Sequence, residues 1–97
     1  SIAIEYDVNA GKSLVTYVNS DNSNKIDSKV VSLSGDSVSL GSQTNVYNAS
    51  ADKLAIAYDS TNTKLVATYR PNSGTTLMHF IVATISGTSV SYGTGFC

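Results

Sequence analysis

Apolar and polar residues alternate along most of the chain. In "IAIEYD" (residues 2–7), every second residue from Ile2 onward is a large apolar or aromatic one. Side chains of a β-strand point to opposite faces in turn, so this pattern predicts a strand with one apolar face. No segment shows the 3.6-residue period of an amphipathic helix. The pattern therefore predicts an all-β chain.

Eight segments rich in Val, Ile, Thr and Tyr are predicted to be strands. They are residues 2–7, 13–19, 29–34, 37–41, 54–59, 64–70, 80–86 and 89–93. Turn residues separate them, and "SGDS" and "SGTS" each place a glycine in a tight hairpin, where positive φ costs little. The only proline, Pro71, lies in "RPNSG", a predicted loop after a strand.

The second half of the sequence repeats the first. Residues 2–45 align with residues 54–97 without a gap, and 14 of the 44 aligned pairs are identical. The two best-matched blocks are "IAIEYD" with "LAIAYD" and "SGDSVSLG" with "SGTSVSYG". A repeat of this length is one supersecondary unit that stacks on its copy. Each copy is therefore predicted to be a four-stranded antiparallel meander.

A four-stranded meander of about 50 residues has the size of one β-propeller blade. We therefore predict two tandem blades, residues 1–52 and 53–97, which together form one structural unit. Residues 42–53 would connect the outer strand of one blade to the inner strand of the next. Small residues in the first strands would lie at a crowded position near the propeller axis; they are Ala3, Ala55 and Ala57. An eight-stranded β-sandwich with an internal repeat is the alternative.

Two blades cannot close a propeller, because a ring generally needs about four to eight. The expected partners are therefore further copies of this chain, which would complete a ring, or neighbouring blades of a longer chain. Unpaired strand edges favour such association.

The line "KLAIAYDSTNTKLVATYR…FIVATISGTSVSYGT" resembles a propeller-like repeat of phage and environmental-virus proteins. The resemblance covers almost all of residues 54–94 and extends more weakly over residues 2–42, where Glu5 and Asp36 replace Ala and Thr. It implies a repetitive virion-surface or extracellular protein of the tail-fibre, spike or knob type. The matched pattern consists of strands and turns and contains no catalytic residue.

Composition narrows the function classes. Six Lys or Arg residues balance seven Asp or Glu residues, for a formal net charge of −1. A near-neutral chain supplies little attraction for a phosphate backbone, so nucleic acid is not an expected partner. No apolar run approaches the roughly 18 residues of a membrane span. The single cysteine, Cys97, has no partner within the chain for a disulfide bond.

The sequence offers few residues for catalysis or metal binding. His79 is the only histidine, and it is predicted to be solvated or hydrogen-bonded at a strand edge. A zinc site needs several His or Cys ligands, and only His79 and Cys97 are present. We therefore predict a non-enzymatic protein without a metal or cofactor.

Two groups of residues are candidate ligand sites. Asp7 and Asp59 recur at equivalent positions, where each carboxylate would cap the turn after its strand or contribute to a ligand site. Tyr69, Arg70 and Asn72 could form a carbohydrate-binding cluster, because tyrosine rings stack on sugar rings. The predicted function is a structural or adhesive module that displays polar loops for surface contact; the alternative is a lectin-like module.

Overall fold

A computed structural model describes residues 1–72 and 77–96 of the 97-residue chain. These residues form eight β-strands and a single-turn 3₁₀ helix, Ser20–Asn22, and none of their helices could span a membrane. The strands are β1 (Ile2–Asp7), β2 (Lys12–Asn19), β3 (Lys25–Ser34), β4 (Ser37–Leu40), β5 (Thr44–Asp59), β6 (Lys64–Pro71), β7 (His79–Ser86) and β8 (Ser89–Tyr92). The predicted all-β class is confirmed.

All eight strands belong to one antiparallel sheet. Its order is β1-β2-β3-β5-β6-β7-β8, and β4 pairs with β3 beside this path. One edge of β3 serves two partners: residues 31–34 pair with β4, and residues 25–28 pair with the first part of β5. The two four-stranded groups, β1–β4 and β5–β8, are thereby joined through β5.

The backbone reproduces the sequence repeat. Ile4 pairs with Val15 in the first repeat, and the equivalent residues Ile56 and Ala67 pair in the second. The pairings between β2 and β3 and between β3 and β4 recur between β6 and β7 and between β7 and β8 with the same register. The hairpin glycines Gly35 and Gly87 have nearly equal positive φ angles, 59° and 62°. These positions suit glycine because it lacks a Cβ atom.

Residues 42–53 connect the two repeats, but they do so as strand and not as a loop, because β5 is a 16-residue strand that begins at Thr44. Its first part bonds the edge of β3 that β4 leaves open, which satisfies backbone groups that a loop would leave unpaired. The register with β6 shifts between Asp52 and Ala55, where Lys53 adopts a φ of 59°. The boundary between residues 52 and 53 therefore falls inside a strand.

The sheet bends so that the two repeats face each other. One apolar cluster combines Leu14 and Val30 of the first repeat with Leu65 and Ala83 of the second. A second apolar cluster is formed by residues of β3, β5, β6 and β7; its buried members are Ile26, Val46, Ala51, Ala67, Tyr69 and Ile81. Burial of this apolar surface is the main stabilising contribution to the fold.

A buried hydrogen bond crosses the same interface. The Tyr92 hydroxyl of β8 donates to Ser28 Oγ of β3 over 2.6 Å. Burial raises the pKa of Tyr92 to about 12, and the contact with Ser28 offsets part of that rise. The phenol therefore stays protonated at neutral pH and can act as the donor.

The two repeats contribute opposite faces to this interface. Leu14 is fully buried in the first repeat, whereas the equivalent of the fully buried Leu65 is Ser13, its neighbour on the other face of β2. Each repeat therefore packs through the face that its copy does not use.

The expectation that Ala55 and Ala57 lie at a crowded position is wrong, since both are exposed and no described element covers their face of β5.

Gly41 marks a close approach between the repeats. It follows β4, and a methyl group built at its Cα would overlap the backbone carbonyl oxygen of Thr88 in the β7–β8 turn. The equivalent Gly93 has room, since the nearest atom to such a methyl group is Val82 Cβ at 3.9 Å. The same glycine of the repeat is therefore sterically required in one copy and not in the other.

We expect Gly41→Ala to lower the free energy of unfolding by about 1–3 kcal/mol, the usual cost of overpacking a close contact. The matched variant Gly93→Ala, measured at a concentration at which the protein is monomeric, should change it by less than about 0.5 kcal/mol. Urea denaturation followed by circular dichroism measures both. Equal effects of the two substitutions would contradict the close approach of the repeats at Gly41.

Candidate functional site

Three polar segments meet at one end of the sheet, which we call the loop end. They are residues 20–24 between β2 and β3, the middle of β5, and Asn72 after β6. Ala51 N donates to Asn24 O over 3.2 Å, and Asn72 N donates to Ser50 O over 3.0 Å. Asn72 Nδ2 also donates to Ser50 Oγ over 2.7 Å. These bonds hold the segments in fixed relative positions.

Local sequence sets the shape of residues 20–24. The Asn19 side chain accepts a hydrogen bond from Asp21 N over 3.1 Å and so caps the 3₁₀ helix. Ser23 and Asn24 then adopt left-handed conformations, with φ of 57° and 60°. Asparagine tolerates this conformation better than most residues, so the segment turns back into β3.

An aromatic pocket is lined by side chains of β5, β6 and β7 at the same end. Its volume is 310 Å³, and its lining residues are Val46, Tyr47, Tyr69, His79, Ile81, Gly95 and Phe96. The ring centroids of Tyr47 and Tyr69 lie 4.7 Å apart, and His79 lies 5.5 Å from Tyr47 and 5.4 Å from Tyr69. Three rings around one small cavity offer flat, weakly polar surfaces to a ligand.

Strand pairing brings these rings together. Tyr69 and His79 are directly paired residues of β6 and β7, so their side chains share a face. Tyr47 comes from β5, in the segment that was predicted to be a connection. Phe80 and Phe96 exchange backbone hydrogen bonds of 2.7 and 2.8 Å, which fixes the chain at Gly95 and Phe96 beside the pocket.

The first repeat carries a polar cluster where the second carries the aromatic pocket, because Asp27 is the equivalent of His79. The Asp27 side chain is only 1% exposed. Its Oδ1 accepts from Asn45 Nδ2 over 3.0 Å, and its Oδ2 accepts from Asn19 and Asn22 over 2.9 and 3.3 Å. Three amide donors thus hold one buried carboxylate.

The surroundings of Asp27 shift its pKa in opposite directions. Burial acts to raise the pKa, but the hydrogen bonds from Asn45, Asn19 and Asn22 and the nearby Lys25 charge outweigh burial and lower it. Burial and, to a smaller extent, the Asp27 charge raise the pKa of the neighbouring Tyr17. The Tyr17 hydroxyl donates to Gln43 Oε1 over 2.8 Å. The cluster therefore holds its negative charge in place and orients Tyr17.

The structure separates the predicted carbohydrate cluster. Tyr69 is buried and lines the aromatic pocket, whereas Arg70 is exposed on the opposite face of β6. Asn72 lies at the loop end and is bonded to Ser50. Tyr69 and Asn72 thus belong to the same end of the molecule, and Arg70 points away from the pocket.

Both recurring aspartates cap turns. Asp7 is buried, and its Oδ1 accepts from Ala10 N over 3.0 Å. Asp59 Oδ1 accepts from Thr61 N and Asn62 N over 3.0 and 3.2 Å. Hydrogen bonds from the side chain and then the backbone of Asn62 lower the pKa of Asp59. The turn-capping interpretation accounts for both carboxylates.

Sequence reasoning missed two residues of the site. Tyr47 was placed in a connection, because residues 42–53 show no clear alternation of apolar and polar residues. His79 was predicted to be solvated or hydrogen-bonded at a strand edge, and its packing against two tyrosine rings was not foreseen. The sequence repeat shows only that His79 is the equivalent of Asp27; the pairing of His79 with Tyr69 comes from the structure.

Among residues 1–72 and 77–96, no group of three or more His, Cys, Asp or Glu side chains is placed to hold a metal ion. Comparison of the chain with models of known protein families, with curated proteins and with solved structures finds no match.

Asp27→Asn should alter the acid sensitivity of the fold. Because the pKa of Asp27 is lower in the folded than in the unfolded protein, its carboxylate stabilises the fold above about pH 4, the ordinary pKa of aspartate. This stabilisation is lost as the pH falls through the lower folded-state pKa. At pH 7 we expect the variant to be less stable by about 1–3 kcal/mol. The substitution replaces one accepting carboxylate oxygen with an NH₂ group, which cannot accept a hydrogen bond from the neighbouring amides.

The difference between wild type and variant should shrink as the pH falls from 4 to 2. Urea denaturation at pH 7, 5, 4, 3 and 2 measures this difference in the free energy of unfolding. The contributions of the other carboxylates cancel in the difference because both proteins contain them. A difference that stays constant across this range would show that the Asp27 carboxylate does not stabilise the fold.

Proposed function

We propose that the chain is a non-enzymatic structural and adhesive repeat module, which uses a rigid β-scaffold to present polar segments for surface contact. In this proposal the two repeats are propeller-type blades, and the module belongs to a virion appendage or another extracellular assembly. The virion assignment rests on the resemblance of residues 54–94 to repeats of phage and environmental-virus proteins.

The faces used by the two repeats support the blade arrangement. In a propeller, each blade packs one face on the opposite face of its neighbour, because the blades are related by rotation about a common axis. A sandwich with internal two-fold symmetry would bury the same face of both repeats. The buried Leu14 and Leu65 lie on opposite faces of the repeat, as blades require. The sandwich is therefore the less favoured alternative.

The observation that carries the adhesive function is the convergence at the loop end. Residues 20–24, β5 and Asn72 are bonded to one another there, whereas the opposite end has tight turns. Fixed loops lose little conformational entropy when they bind, so the entropic cost of binding at the loop end is low. Loops on a rigid scaffold are also the usual position of binding residues.

Reversing a charge at the loop end should weaken surface binding. Asp21 is exposed in the segment between β2 and β3, and Asp36 is exposed in the hairpin turn between β3 and β4 at the opposite end. We expect Asp21→Arg to weaken binding to whole bacterial cells by at least about tenfold, or about 1.4 kcal/mol.

Asp36→Arg is the matched control, because it makes the same change in net charge and should leave cell binding unchanged. Titration of fluorescently labelled protein onto a panel of bacterial cells measures the affinity. Equal losses in both variants, or unchanged binding of Asp21→Arg to the cells that wild type binds, would contradict a contact surface at the loop end.

The aromatic pocket favours a second candidate, a lectin-like carbohydrate-binding module. Its 310 Å³ volume lies at the lower end of the range for small-molecule sites. Tyr47, Tyr69 and His79 surround it with rings on which the apolar face of a sugar could stack. The pocket and the loop end are adjacent, so a glycan bound in the pocket would extend the same contact surface.

A sugar that binds the pocket should raise the melting temperature of the wild-type protein. At a hundred times its Kd, a ligand stabilises the folded state by about 2.7 kcal/mol. We expect Tyr47→Ala to abolish this sugar-dependent increase, whereas Tyr6→Ala, which changes an exposed tyrosine outside the pocket, should retain it. A thermal-shift screen with a panel of oligosaccharides tests this. An equal increase in Tyr47→Ala would exclude the pocket as the sugar site.

A further inference from the structure

Within residues 1–72 and 77–96, each repeat leaves one apolar face uncovered. The uncovered face of the first repeat, here called the receiving face, consists of Tyr6, Ser13, Val31, Leu33, Val38 and Leu40. Leu33 is 72% exposed and Val38 is 63% exposed. The uncovered face of the second repeat, here called the inserting face, consists of Val66, Thr68, Phe80 and Val82. Phe80 and Val82 are 44% and 43% exposed.

The receiving face corresponds, residue by residue, to a face that is buried in the second repeat. The equivalents of Tyr6, Ser13, Val31 and Leu33 are Tyr58, Leu65, Ala83 and Ile85. All four equivalents belong to the apolar cluster that packs against the first repeat. The chain therefore shows what covers a face of this type: the Leu14 and Val30 side chains of the preceding repeat.

The receiving face also contains an empty depression at the corresponding place. This depression has a volume of 210 Å³ and is lined by Tyr6, Gly11, Lys12, Ser13, Val31 and Leu33. In the second repeat the equivalents of four lining residues, Tyr58, Leu65, Ala83 and Ile85, belong to the cluster that contains Leu14 and Val30. Those two residues are directly paired in the sheet, and their equivalents Val66 and Val82 are directly paired as well.

The two uncovered faces are also chemically complementary at the position of the polar contact in the internal interface. Inside the chain, Tyr92 donates a hydrogen bond to Ser28. The equivalents of these two residues are Leu40 on the receiving face and Phe80 on the inserting face. The two positions that form a hydrogen bond in the internal interface therefore both carry apolar side chains on the uncovered faces. An apolar contact between them would leave no polar group unpaired.

We propose that a second copy of this chain packs its inserting face on the receiving face, with Val66 and Val82 seated in the depression between Tyr6 and Leu33. The contact repeats between molecules the packing that already exists between the two repeats of one molecule. It deepens the proposed function, on which it rests in treating the repeats as blades, by naming the partner and the faces. The interface is heterologous, so it extends head to tail into a closed ring or a filament.

Native mass and two substitutions test the interface. The wild-type protein should form species heavier than the 10.1 kDa monomer in light scattering coupled to size exclusion. Leu33→Lys blocks the receiving face, and Val82→Lys blocks the inserting face. Each variant alone should be a folded monomer, because every molecule then lacks one of the two faces. Val8→Lys, at a residue in the β1–β2 turn that is 67% exposed, is the matched control and should assemble like wild type.

Mixing the two blocked variants identifies the head-to-tail geometry. Leu33→Lys keeps its inserting face and Val82→Lys keeps its receiving face, so an equimolar mixture should form a dimer of one copy of each. An interface between two identical faces would give no heterodimer. Circular dichroism and urea denaturation of each variant confirm that it is folded before the masses are compared.

A folded, monomeric wild-type protein would overturn the proposed interface, and so would assembly that persists in both blocked variants or a mixture that stays monomeric. Failure of the adhesive function looks different, since it would leave assembly intact while no cell binding is detected. A monomer that still binds cells through the loop end would retain the proposed function without this interface.

Discussion

The packing of Leu14 and Val30 against Leu65 and Ala83 is the contact on which the rest of the structure depends. A four-stranded meander has two faces and cannot bury either face by itself. The two repeats solve this problem by placing opposite faces together, and β5 joins them because it pairs with β3 in its first part and with β6 in its second. The bend of the sheet and the close approach of Gly41 to Thr88 accompany this contact.

The two repeats share one strand arrangement but differ in the side chains at one pair of equivalent positions. At equivalent positions of the same register, the first repeat has Asp27 held by three amides and the second has His79 against Tyr47 and Tyr69. Strand pairing fixes where these side chains lie, whereas the identity of each residue decides whether the position holds a charge or an aromatic pocket. A duplicated unit can in this way keep its strand pairing while the side chains at one end differ in chemistry.

Much of the architecture was predictable because strands and turns have local signals. The eight strands, the hairpins at Gly35 and Gly87 and the common register of the two repeats follow from alternation and from the gapless alignment. The candidate site was less predictable. Alternation in the predicted strand 64–70 already separates Tyr69 from Arg70, but it does not show that Tyr69 lines a pocket, because the other lining residues come from distant strands. Tyr47 joins that pocket from a segment without a clear strand pattern.

By itself the sequence determined the all-β class, the duplicated meander and the places of the turns at which Asp7 and Asp59 recur, because these depend on neighbouring residues and on strand alternation. Only the tertiary structure decided which face of each repeat is buried. Alternation assigns residues to two faces but does not rank them, and both faces of both repeats carry apolar residues. The choice depends on which faces are complementary in shape, and that is a property of the two folded repeats together.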